Sequence, residues 1–328
     1  MRITYGPWGE TLAELTSAAR AAEEAGAELI WLPELHRSAT VSAAAVASAT
    51  TRAGVGTAIA LAFTRSPMVT ALEALDLDEL TGGRFVLGLG SGARRLNENW
   101  HNARWDKPLA QLRETVEVIR TIVAGSHTGE PLEYRGDWQR LSVRGFRRPY
   151  QPVRTRIPIY LAAVGPQLTR LAARIADGWI SHELCSPAYL REHVLPNLAG
   201  RPDGFDVVVS GCCSIDPDPA LARERAAGVL AFYASVATYR DFFAFHGLAA
   251  EHARVVEAFR SGRAAEVPGR MVEPLALTGT PEQVAARIAE YAGLADTIKL
   301  TPAVYGNSPA QIRENQARII TLIRELTA

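Results

Sequence analysis

Glu34 and His36 stand two positions apart just past the apolar run Leu29–Leu32, and His182 follows a second apolar run at 178–181. A carboxylate and imidazoles at such places could pass a proton to or from a bound molecule. Polar rim residues without chemistry are the competing reading. Glu34 is the least decorative of the three, because an acid at a buried strand end needs a partner. Within 82–100, the apolar Phe85-Val86-Leu87-Gly88-Leu89 spills into Gly90-Ser91-Gly92, where missing side chains let backbone N–H groups approach a ligand or turn sharply. Asn97 follows, an amide able to donate and accept at once. Gly165-Pro166-Gln167 opens a helix whose free N–H groups and dipole suit an anion, although a plain helix-initiating turn uses the same residues. Arg94-Arg95 could meet an anionic tail, and Trp100 and Trp105 could wall a pocket, with solvated charge and packing as the alternatives.

The chemistry is limited as much by what is missing. The strand ends carry no paired carboxylates, no histidine cluster with metal-ligand spacing, no nucleophile elbow and no phosphate-loop lysine motif. No metal is expected. Backbone amides, small residues and a few polar side chains suit the binding of a large planar cofactor that carries the hard chemistry itself.

The elements that must position these groups alternate along the chain. Short apolar strands are expected at 3–6, 29–32, 55–63, 84–89, 158–163, 178–181, 205–210 and 297–301. Helical periods fall between them, among them 11–25 ending at Gly26, 42–51, 68–80 with Pro67 in its first turn, and 109–123. Helices at 281–292, with Thr280 as N-cap, and 309–326 complete the pattern. Two stretches break the rhythm: an excursion at about 125–155, rich in Arg, Gly, Pro and aromatics, and a helical insertion at about 219–263. Eight strands alternating with helices predict an α/β fold, a (β/α)8 TIM barrel with insertions, in a single domain of 328 residues.

Thirty-five basic and 35 acidic residues cancel, which gives no electrostatic reason to expect nucleic acid or a membrane surface as partner. No apolar run reaches the roughly 18 residues of a membrane span. The start of the chain lacks the apolar core of a signal peptide, and Cys185, Cys212 and Cys213 have no metal-ligand spacing. A reducing, cytoplasmic location is expected, with Cys212-Cys213 packed in a strand rather than disulfide-bonded.

Taken together, Leu32-Pro33-Glu34, Gly56-Thr57-Ala58-Ile59, Arg65-Ser66-Pro67 and Leu80-Thr81-Gly82-Gly83-Arg84-Phe85-Val86-Leu87-Gly88-Leu89-Gly90-Ser91-Gly92 resemble the bacterial luciferase-like oxidoreductases. Arg148-Pro149, Gln151-Pro152, Ile157-Pro158-Ile159-Tyr160-Leu161-Ala162-Ala163, Gly165-Pro166, Ala176-Asp177-Gly178 and Leu277-Thr278-Gly279-Thr280-Pro281 continue the match in the right order. Trp105-Asp106-Lys107-Pro108 is similar to the branch that uses the deazaflavin coenzyme F420, in particular methylenetetrahydromethanopterin reductase-like members.

The resemblance implies a barrel, usually a homodimer, with coenzyme F420 across the strand ends and a bulged third strand carrying a non-prolyl cis peptide at Ala58-Ile59. It implies that Glu34, Ala58, Ile59 and Leu61 lie near the ring, with Ser91, Gly92 and Asn97 on the ring or its side chain. Ala163, Val164, Gly165, Gln167 and Leu168 match the cradle for the cofactor phosphate. Glu34, His36 and His182 are the candidate catalytic residues, His182 matching a substrate contact of sugar-phosphate-oxidising members. Those members have a histidine directly after the acid of the second strand and a glutamate just after the Gly-x-Gly. Here Leu35 and Ala93 stand in those places, which argues against sugar-phosphate oxidation. The expected activity is hydride transfer between the deazaflavin C5 and a small organic substrate. The alternatives are an FMN-dependent monooxygenase on the same barrel and a cofactor-binding protein without turnover.

Overall fold

The computed structural model describes residues 1–261 and 267–328, the side chain of Ala237 aside. Its strands are β1 (Arg2–Tyr5), β2 (Leu29–Leu32), β3 (Gly54–Thr57), β4 (Ala60–Leu61), β5 (Phe85–Gly90), β6 (Leu132–Arg135), β7 (Arg140–Val143), β8 (Ile159–Ala162), β9 (Gly178–Ile180), β10 (Asp206–Ile215), β11 (Leu277–Gly279) and β12 (Thr297–Pro302). The main sheet runs β1-β2-β3-β5-β8-β9, β10 pairs β9 and β12, and β12 returns to β1 in parallel register. This is the closed eight-stranded barrel that the alternation predicts, with β4 and β11 as additions. Contacts group the chain into two compact units, residues 29–180 with 197–206, and residues 1–28 with 181–196 and 207–328.

In the unit built on 29–180, β2 and β3 pair from Leu29–Gly54 to Leu32–Thr57. The expected third strand, 55–63, is broken after Thr57. Gly56 faces Val86 while Ala60 faces Leu89, so the third strand spends one residue more than β5 over the same span, a bulge. The peptide between Ala58 and Ile59 is cis, as the resemblance implies. Thr57 stitches the gap: its hydroxyl donates to the Gly88 carbonyl at 2.7 Å and accepts from the Gly88 N–H at 2.9 Å. A Cβ at Gly88 would sit 1.8 Å from the Thr57 carbonyl oxygen, so only glycine allows this approach. On the opposite face of β5, Phe85, Leu87 and Leu89 are buried, each worth about 1.5–3 kcal/mol of transfer free energy.

The helices here start where capping chemistry places them. Ser38 and Ser66 accept from Val41 N–H and Val69 N–H at the starts of Ala39–Ala47 and Pro67–Leu80, the former beginning three residues ahead of its sequence estimate. The excursion is an antiparallel hairpin, β6 on β7. Buried Glu114 accepts the N–H groups of Asp137, Trp138 and Gln139 at its turn.

In the other unit, β10 is ten residues long and wholly buried, running past its expected end at 210. The extension exists because β10 has two partners in succession: Val208–Cys213 face β12, and Cys213–Ile215 face β11. Cys185, Cys212 and Cys213 are buried free thiols. The helical insertion contains Pro219–Ala234, Arg240–Phe245 and Ala249–Arg260; its expected last residues, 262 and 263, lie outside the described residues. Val229, Leu230, Phe242, Phe243 and Met271 pack it into one apolar cluster with Leu184 and Cys212. Thr280 caps Pro281–Ala289 in a reciprocal capping box with Gln283. Among the described residues no helix is long and apolar enough to cross a membrane.

Candidate active site

The end of β2 delivers Glu34 into the bulge. Its Oε2 accepts from Leu61 N–H at 2.7 Å, its own N–H donates to the Ile59 carbonyl at 3.1 Å, and Ala58 N–H donates to Leu32 at 2.8 Å. Arg65 Nη1 and Nη2 hold the two carboxylate oxygens at 2.9 and 2.5 Å. Burial pushes the Glu34 carboxyl up, but hydrogen bonds from Arg65 and Leu61 outweigh it and leave its pKa below the usual value. The acid is therefore a committed anion that fixes the loop carrying Ala58, Ile59 and Leu61. His36, two residues on, is exposed.

The glycine-rich loop after β5 closes over the same loop. Gly92 has φ +66°, and a Cβ there would lie 2.6 Å from Leu61 Cδ2 and 3.2 Å from Asn97 Nδ2. Asn97 is completely buried, and its Nδ2 donates to the carbonyls of Ser91 at 2.8 Å and Ala93 at 3.0 Å. Its Oδ1 is buried without a partner. An acceptor left in that state costs roughly 1–3 kcal/mol unless a donor arrives, so the amide suits a ligand N–H or O–H.

Ser91 also lines a cavity of about 420 Å³ with Pro108, Leu109, Val164, Gly165, Pro166, Gln167 and Leu168. Two helices, Pro108–Gly125 and Pro166–Ile175, begin at this cavity, and neither has a side-chain cap. The first-turn N–H groups of a helix have no partner within it, so both starts offer donors and partial positive charge. Gly165 has φ +83° with nothing within 4 Å of where a Cβ would stand, an open cradle over the helix start. The residues present thus fit a group with an anionic tail and a polar ring edge.

In the other unit, His182 is enclosed by Tyr233, Tyr239 and Phe242, with ring centroids at 5.9, 5.0 and 4.6 Å. Its Nδ1 accepts from Leu184 N–H at 3.2 Å, which places the proton on Nε2, and Nε2 is buried without a hydrogen-bond partner. The Phe242 ring stands nearly perpendicular to the imidazole, at 84°. Burial, with a smaller push from His246, takes its pKa down to about 3. Adjacent Glu183 faces Lys299 and Thr301; burial raises its carboxyl and lowers the Lys299 ammonium, each opposed by the other's charge. Among the described residues no group of three or more His, Cys, Asp or Glu could hold a metal.

The sequence pattern that defines the luciferase-like monooxygenases matches residues 2–297. The chain belongs to this family. It is accordingly an enzyme, and its barrel is the luciferase-like one. A relative from Mycobacterium tuberculosis, named as a candidate coenzyme F420-dependent oxidoreductase, is 29% identical over 97% of this chain and 98% of its own length. The 5,10-methylenetetrahydromethanopterin reductase of Archaeoglobus fulgidus is 29% identical over 88% of this chain and 90% of its own. Among solved structures, the coenzyme F420 dependent tetrahydromethanopterin reductase of Methanopyrus kandleri has a TM-score of 0.82 at 21% identity, covering 98% of this chain and 99% of that one.

Sequence reasoning singled out Glu34, Ser91, Gly92, Asn97 and the 163–168 stretch, and missed three charged groups: Arg65 beside Glu34 and, in the other unit, the facing pair Glu183 and Lys299. Arg65 was quoted only as part of a motif. Glu183 was passed over beside His182, although an acid next to a strand end carries the same signal that marked Glu34. Lys299 lies inside an otherwise apolar strand, where a charge is itself the signal.

Proposed function

We propose that this protein is a coenzyme F420-dependent oxidoreductase that moves a hydride between the deazaflavin C5 and a small organic substrate, and that it works as a cytoplasmic homodimer. The observation that carries the reading is the cavity where two uncapped helices start beside Ser91 and open Gly165. Ala163, Val164, Gly165, Gln167 and Leu168 would hold the anionic tail of the cofactor through backbone N–H groups and the helix dipole. Ala58, Ile59 and Leu61 would support one face of the ring, Ser91 and Gly92 its edge, and Asn97 Oδ1 would receive a donor from it. The bound deazaflavin supplies the redox chemistry; the protein's share is stacking, orientation and water exclusion.

Among the candidate proton carriers, Glu34 acts through position, since both of its oxygens are occupied by Arg65 and Leu61. His182 would serve as an uncharged aromatic wall, while His36 lies exposed on the loop that carries Glu34. The names borne by the relatives support the cofactor assignment.

The test is a fluorescence titration of the purified protein with coenzyme F420 and, separately, FMN. Micromolar or tighter binding of the deazaflavin alone is expected. Preference for FMN would replace the reading by a monooxygenase, and binding of neither would overturn it.

A further inference from the structure

Of the 35 basic residues in this chain only two are lysines, Lys107 and Lys299. Arginine does nearly every job that needs a fixed positive charge, yet the barrel-strand position 299 carries lysine. A lysine is a compact ammonium whose proton is easily moved when it is desolvated, unlike a guanidinium. Lys299 is only 5% exposed, and its Cε passes 3.0 Å from the point where a Cβ would stand on Gly6, so a missing side chain makes room for it. Among the described residues no hydrogen bond or short ion pair holds its ammonium; the charge that faces it is Glu183.

The surroundings repeat this pattern. Thr301 shares the face of Lys299 two residues along β12 and lies against the same Gly6; its buried Oγ1 points to Glu183 as its nearest acceptor but makes no hydrogen bond of full geometry. Ser210 pairs with Lys299 in register, and its buried Oγ is without a partner. Tyr233 accepts from Glu183 N–H at 3.4 Å. Donors and acceptors that are buried and unpaired this close together are costly unless something completes them.

We propose that Lys299, Glu183 and Thr301 form a recognition site for a hydroxyl group of a neutral small molecule. The hydroxyl accepts from the Lys299 ammonium and the Thr301 hydroxyl, and donates to the Glu183 carboxylate. A hydroxyl fits because it fills both roles at once; a carbonyl leaves Glu183 without a donor. An anion does not fit, because the Lys299–Glu183 pair is neutral as a whole whichever partner holds the proton, and a carboxylate or phosphate would add an uncompensated charge to a desolvated place. The inference stands on this unit alone and does not depend on the cofactor assignment.

Lysine-selective 15N labelling of the side-chain nitrogens tests it in the cofactor-free protein, where two resonances are expected. Titration with butan-2-ol, butan-2-one and butyrate compares three head groups on tails of similar size. The alcohol is expected to move the Lys299 resonance saturably while Lys107 stays still, the ketone to bind more weakly, and butyrate at least tenfold more weakly. Thr301→Val is expected to weaken the alcohol at least threefold. Glu183→Gln is expected to narrow the gap between alcohol and butyrate by removing the anion. Butyrate binding as well as the alcohol, or no response of Lys299 to the alcohol, overturns the proposal. The wild-type comparison decides even if either variant fails to fold.

Discussion

Arg65 and Glu34 meet fork to fork, with Nη1 at 2.9 Å from Oε2 and Nη2 at 2.5 Å from Oε1. The same Oε2 takes the Leu61 N–H, so one carboxylate ties a loop after β2 to the far side of the bulge in the third strand. Glu34→Gln is expected to cost about 2 kcal/mol, the price of leaving the half-buried guanidinium with a weaker partner. The sign of the pH dependence follows from the lowered carboxyl. The contribution of Glu34 is complete above the unfolded glutamate value of about 4.3 and is lost as pH falls through the lower folded value. Urea unfolding of wild type and variant at pH 7 and at pH 3 should show a gap at the first and a smaller one at the second.

Asn97 divides its amide between two jobs: Nδ2 holds the loop, and Oδ1 waits for a donor. Asn97→Leu keeps the volume and removes both. A stability loss of about 1–2 kcal/mol is expected from the orphaned Ser91 and Ala93 carbonyls. Coenzyme F420 affinity should fall at least about tenfold, or about 1.4 kcal/mol. Thermal unfolding and the fluorescence titration separate the two effects.

Gly92 and Gly165 both take positive φ, but a methyl group would meet different neighbours. At Gly92 it collides with Leu61, so Gly92→Ala should lower stability by about 1–3 kcal/mol. At Gly165 it meets nothing, so Gly165→Ala should cost only the backbone term of about 1 kcal/mol while intruding on the cradle. The expected signature is a large melting shift for the first variant and, for the second, a small shift with a marked loss of cofactor affinity.

His182 is held neutral, with its pKa pushed to about 3. The unfolded chain binds a proton there below about pH 6.5 and the folded chain does not, so stability rises with pH across the interval between the two values. Acid unfolding of wild type should therefore set in as pH falls below about 6.5, and His182→Gln should flatten that slope. An unchanged slope would mean that the ring titrates in the folded state.

The alternation of strands and helices was legible because each buried parallel strand is a short apolar run between helical stripes, and the barrel follows from their number. What escaped depended on partners distant in sequence. The stretch 297–301 reads as one more apolar strand, and Glu183 stands 116 residues before Lys299, so nothing local announces that the two face each other. His182 attracted notice because free imidazole titrates near neutrality, and an aromatic enclosure reverses that property. Glu34 was recognisable as an acid in need of a partner, whereas the fork that satisfies it comes from 31 residues away. The strand β11 was missed because three residues are too few to show a period.

The cavity at the two helix starts draws its positive potential from peptide dipoles instead of ionisable side chains. Peptide dipoles do not titrate, and their orientation is fixed when the helices form. The strength of this anchor should then stay level across the pH range in which the fold survives. A molecule held there would be kept or released according to its own charge state, and the protein's protonation would serve as neither latch nor key.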